Sequence, residues 1–176
     1  MISQRLCFLG LSTGLLAGIA LAAMTHVPLK VKTGAWQMTM KTTMNGNPIP
    51  AAALAQMPPD QRAKVMAAMQ ARSGKTTSQV YKECVTANDL NDPGKFGQHD
   101  GDNHCTNTLI ASTPTVTKIR MACTGENASS GTATFEASSP TTIKGVIDLT
   151  GIGGGAKVHV EETGTWMGAS CAGIKD

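Results

Sequence analysis

The pattern of apolar and polar positions divides the chain into one helix and a long series of strands. From Gly34 to Met44, Trp36, Met38 and Met40 alternate with Gln37, Thr39 and Lys41, the period-two signature of a strand with one buried face. Asn45-Gly46-Asn47-Pro48 ends it. Pro58-Pro59-Asp60 then opens a predicted helix that runs through Arg72, with Gly74 placed to take the left-handed conformation past its end. Its Val65, Met66 and Met69 form one narrow apolar face suited to lying on a sheet, while Ala67, Ala68 and Ala71 add helix propensity. β-branched residues resume from Lys75 to Thr86, and Asn88-Asp89-Leu90-Asn91-Asp92-Pro93-Gly94 reads as a turn or a capped helical turn.

Beyond this point the reading is strand and turn throughout. Cys105–Ser112, Thr115–Thr124, Gly131–Ala137, Thr141–Thr150 and Lys157–Trp166 are separated by proline- and glycine-bearing breaks. Ile119, Met121, Cys123, Ile143, Ile147, Leu149, Val158 and Val160 fall on inward positions; Lys118, Arg120, Lys144, Asp148, Lys157, His159 and Glu161 fall on outward ones. Turns about every ten residues are what an antiparallel meander shows. The expected fold is therefore mainly β: an antiparallel, strongly curved sheet or partial barrel with one amphipathic helix packed on it and two disulfides.

Residues 1–23 change the picture of compartment. Arg5 precedes the apolar run Leu6–Leu21, and Ala20-Leu21-Ala22 or Leu21-Ala22-Ala23 offers a small-residue cleavage site, the anatomy of a secretory signal peptide. A retained membrane anchor is the rival; Gly10, Gly14, Gly18 and the alanine-rich exit favour cleavage. A single β-rich domain over residues 24–176, periplasmic or secreted and with no membrane span after cleavage, is the expectation. Losing Cys7 leaves Cys84, Cys105, Cys123 and Cys171, an even set bound for an oxidising compartment. Three connectivities are open. Cys84–Cys105 with Cys123–Cys171 is preferred, because it closes a local loop and ties the C-terminus to a central strand. With only two Trp, one Tyr and three Phe in the whole chain, the core depends on small side chains and Met, so such cross-links matter.

Several of these elements occur together in one known family. Gly-Ala-Trp-Gln-Met-Thr-Met at 34–40, Met-Pro-Pro-Asp-Gln-Arg at 57–62, Glu-Cys-Val-Thr-Ala-Asn-Asp-Leu at 83–90, Asp-Pro-Gly-Lys at 92–95, His-Cys at 104–105, Met-Ala-Cys at 121–123 and Gly-Ala-Ser-Cys at 168–171 resemble the bacterial exported family known as domain of unknown function 3617. The resemblance implies an exported, disulfide-containing, β-rich single domain, and it carries over no catalytic residue.

Candidate chemistry is sparse. The net charge is +3 with no block of Lys or Arg, so nothing drives phosphate binding and no nucleic-acid partner is expected. His99, Asp100, Asp102 and His104 form a compact set of potential ligands for zinc or copper, although the same composition makes an ordinary polar loop. Met38 and Met40 share a strand face beside Trp36, as a cuprous site requires and as core packing also requires. Gly151-Ile152-Gly153-Gly154-Gly155-Ala156 formally fits a dinucleotide fingerprint, but it leads into a strand rather than a helix and reads as a hairpin connection. No G-x-S-x-G elbow is present, and Glu161 and Glu162, adjacent in a strand, point to opposite faces. The expectation is a non-catalytic protein without a cofactor. It binds a hydrophobic small molecule or an envelope protein through Trp36, Met38, Met40, Met66 and Met69; metal binding at the His99–His104 loop or the Met38/Met40 strand is the alternative.

Overall fold

The computed structural model describes residues 26–92, 104–125, 128–153 and 155–174. Strand β1 (Gly34–Asn45) is followed by helices α1 (Ala51–Ala55) and α2 (Pro59–Arg72), strand β2 (Thr76–Val85) and helix α3 (Ala87–Asn91). Strands β3 (His104–Ser112), β4 (Val116–Thr124), β5 (Ser129–Ser139), β6 (Thr142–Ile152) and β7 (Ala156–Gly168) complete the chain. All seven strands join one open antiparallel sheet in the order β2-β1-β7-β6-β5-β4-β3. The fold is mainly β, as the period-two alternation predicts. In β7, Ala156, Val158, Val160, Glu162 and Gly164 are buried while Lys157, Glu161, Thr163 and Thr165 are exposed.

The sheet brings distant residues abreast. Thr117, Phe135, Gly145, Glu162 and Met40 are successive cross-strand partners on β4, β5, β6, β7 and β1, and so share one face. Leu29, Ile119, Met121, Ala133 and Phe135 form the buried core cluster on that face, with Ile143, Ile147 and Leu149 packed against it. Leu29 belongs to no strand or helix. Residues 26–33 run as a strap along the hairpin ends: the Lys30 amide donates to the Pro114 carbonyl at 2.7 Å and the Lys32 amide to the Pro140 carbonyl at 2.9 Å. Its backbone groups are satisfied by turns rather than by a ladder.

Two expectations need correction. Among the described residues three helices stand where one was expected, and α2, which starts at the predicted proline and ends before Gly74 at φ 76°, buries none of its residues. Only Val65 and Met69 are half-buried, a stripe too narrow to cover a sheet. Helix α3 is the capped turn, closed by a reciprocal capping box between Thr86 and Asp89. The disulfide pairing also differs. Cys105 and Cys123 are direct cross-strand partners in the β3–β4 hairpin and pair with each other. Cys84 pairs with Cys171, their Cα atoms 5.5 Å apart, which ties the chain beyond β7 to the edge strand β2. Ala35 of β1 faces Cys84 on one side and Gly168 on the other, so β1 sets the approach. That approach requires Gly34 at φ 122°, where a Cβ atom would lie 2.3 Å from the Gly168 carbonyl oxygen.

Candidate functional site

A cavity of about 160 Å³ lies between the strap, α3 and the buried face of the sheet. Trp36 and Met38 enter it from β1, and Ile119, Phe135 and Ile143 from β4, β5 and β6. Leu29 and Val31 enter from the strap, Val85 and Leu90 from the end of β2 and α3. Trp36 is 1% exposed, and its indole Nε1 donates to the Lys32 carbonyl at 3.0 Å, which docks the strap against β1. Gly145 makes room in the middle of the sheet: a Cβ there would sit 2.9 Å from Cε1 of Phe135 and 3.4 Å from Cβ of Glu162. Its missing side chain lets the Phe135 ring lie across β6 toward Glu162.

The polar groups are few and mostly anionic. Glu162, 9% exposed, is one of two polar residues in the buried set, and its Oε1 accepts a short hydrogen bond from the Tyr81 hydroxyl. Glu83 and Asp89 line the same cavity. Burial, then the hydrogen bond to Glu162, then the charges of Glu162 and Glu83 hold the Tyr81 phenol above its ordinary value. Desolvation against the cavity, reinforced by the charges of Glu162 and Asp89, raises Glu83, although it stands on the exposed edge strand.

His26 closes the cavity at the strap. Its Nε2 lies 2.7 Å from the Leu90 carbonyl and its Nδ1 3.2 Å from Ser112 Oγ. Because a carbonyl only accepts, Nε2 carries a proton. Ser112 Oγ also accepts from the Val27 amide at 2.7 Å and lies 2.9 Å from the Val27 carbonyl. This His-Ser contact is a latch: the imidazole spans from Leu90 in α3, next in the chain after edge strand β2, to Ser112 at the end of the opposite edge strand β3, and the hydroxyl is engaged by the strap's backbone.

The residues singled out in the sequence are dispersed. Trp36 and Met38 line the cavity. Met40, half-buried on the same face, lies outside that lining. Met66 and Met69 sit around open depressions between α2 and the far end of β1, with Gly46 and Ser73. His99, Asp100 and Asp102 lie outside the described residues; His104 opens β3 opposite Thr124. Among the described residues no three of His, Cys, Asp and Glu form a group able to hold a metal ion. His159 and Glu161 are an exposed set on β7, with His159 Nδ1 2.7 Å from Asp148 Oδ1. Strands β6 and β7, on either side of the glycine-rich run, pair antiparallel up to Ile152 and Ala156.

Sequence reasoning passed over Glu162, Tyr81, Glu83 and His26 as cavity groups. One signal was available: Glu162 occupies an inward position in the series Val158, Val160, Glu162, Gly164, and a carboxylate in a core register needs a reason. A family model described as protein of unknown function (DUF3617) matches residues 31–171. No curated protein and no solved structure matches the chain.

Proposed function

The chain belongs to the DUF3617 family, and from that premise we propose that it is an exported binding protein whose cavity takes an apolar small molecule. The observation that carries the reading is the cavity itself: about 160 Å³, walled by Leu29, Trp36, Met38, Ile119, Phe135 and Ile143, with few polar groups among them. Small-molecule sites have this composition, apolar walls with a small number of placed polar atoms. An apolar cavity of about 150 Å³ accepts a benzene-sized guest. The sheet is proposed to be strongly curved around this space. Residues of β2 and β4, five steps apart in the strand order, line one small cavity, and the His26 latch spans from Leu90 to Ser112. The strap and α3 take the covering role that the sequence assigned to the Met-bearing helix.

Residues 1–23 are proposed to be a cleaved signal peptide, with the single domain 24–176 released into the periplasm or the medium, where both disulfides persist. No described helix is long and apolar enough to cross a membrane. Native mass spectrometry of the protein purified from the periplasm tests the binding reading. The expected result is a native mass exceeding the denatured one by the mass of a small organic molecule. Equal masses, together with no binding of neutral aromatic probes to the purified protein, overturn it.

A further inference from the structure

Resting on that reading, we infer that the guest is an organic ammonium: a cationic nitrogen seated at Glu162 and Glu83, with its apolar body against Trp36 and Phe135. Glu162 is more than nine-tenths buried, lines the cavity, and among the described residues has one hydrogen-bond partner, the Tyr81 hydroxyl at Oε1. Its second oxygen has no hydrogen-bond partner among the described residues. Glu83 lines the same space and makes neither a hydrogen bond nor an ion pair with a described residue. No described Lys or Arg lines the cavity; His26, the one basic side chain there, is turned to Leu90 and Ser112.

A buried carboxylate such as Glu162, in an apolar space with no described cation and with Glu83 at its rim, is costly. A neutral guest leaves that cost standing and an anion adds to it, whereas an ammonium removes it with charge-assisted hydrogen bonds. The aromatic walls act in the same direction, because Trp and Phe rings attract cations. The Phe135 ring, which crosses Gly145 on β6 toward Glu162, sets one of these aromatic walls near the carboxylate.

Calorimetric titration of the oxidised protein with three benzene-ring probes, the isosteric benzylamine and benzyl alcohol and the anion benzoate, tests this. The amine is expected to bind about tenfold more tightly than the alcohol, and benzoate more weakly than either. In Glu162→Gln the amine's advantage is expected to fall about fivefold while the alcohol's affinity stays within about twofold. If Glu162→Gln does not fold, Glu83→Gln on the exposed edge strand is expected to reduce the same advantage. Equal binding of amine and alcohol to the native protein overturns the ammonium inference and leaves the apolar-binding reading standing. No binding of any probe at millimolar concentration overturns both.

Discussion

Strand β1 has methionines toward both ends, and the two surroundings differ. Near its start, Met38 is buried beside Trp36 under the strap, in a region that also holds Glu162, the His26 latch and the Cys84–Cys171 bridge. Near its end, Met44 and Met69 border open depressions, and α2 is held by a few polar contacts, among them Gly74 N–H to the Met44 carbonyl at 2.8 Å and Gly46 N–H to Ser73 Oγ at 3.2 Å. The residue type is the same, yet Met38 is buried and Met44 only half-buried. What separates them is a cover that reaches across several strands, which the strap supplies and α2 does not.

The largest test of this contrast removes the cavity-side bridge. Cys84→Ser with Cys171→Ser, which opens a link of sequence separation 87, is expected to cost about 4–5 kcal/mol in the loop-entropy model. Cys105→Ser with Cys123→Ser, at separation 18, is expected to cost about 3 kcal/mol. Urea midpoints under non-reducing conditions give both, and equal losses would break the assignment of the longer bridge to the more consequential join. Trp36→Ala comes next, at about 3–5 kcal/mol by the same assay. His26→Ala, which removes the contacts to Leu90 and Ser112, is expected to cost about 1–2 kcal/mol and to speed amide exchange in the strap before global unfolding. Met69→Ala on α2 is expected to cost below about 1 kcal/mol; a loss matching that of Trp36→Ala would erase the difference between the regions.

The smallest effect is electrostatic. Glu83 binds its proton more tightly in the native chain than when unfolded, so its stabilising contribution is complete below the ordinary value of 4.5 and is lost as pH rises through the raised native value. The wild-type urea midpoint is therefore expected to gain on that of Glu83→Gln as pH falls from about 7 toward 4.5. His159 obeys the same sign outside the cavity: its hydrogen bond to Asp148 raises it first, desolvation opposes that, and the charges of Asp148 and Glu161 add to the rise. Its contribution is present below 6.5 and fades above the native value. Exposed as the pair is, Asp148→Asn is expected to change stability by no more than about 0.5 kcal/mol.

Strand identity was legible because a half-buried strand writes its register into alternate residues, as Ile119 and Met121 against Lys118 and Arg120 show. The cover was not, for two physical reasons. In α2 the narrow stripe of Val65, Met66 and Met69 names a face but no partner, and the structure gives it little to cover. In the strap, Val27, Leu29 and Val31 alternate with Pro28, Lys30 and Lys32, a period-two signal like that of any strand, yet its amides go to turns at Pro114 and Pro140. Nothing local distinguishes a strap from a strand. The disulfide partners were hidden for a related reason: Cys84 and Cys171 approach only because β1 lies between β2 and β7, a fact of topology rather than of spacing.

That placement of β1 also governs the order of assembly. Strands β3 to β7 can form by successive hairpins, and β1 can pair with β2 on its own, but β1–β7 pairing joins residues more than a hundred positions apart, such as Trp36 and Trp166. Long-range closure is entropically late. On a chain emerging from its N-terminus, β1 therefore waits with one edge unpaired until the last strand arrives. During oxidative refolding, Cys105–Cys123 forms early within a hairpin, and Cys84–Cys171 records completion of the sheet.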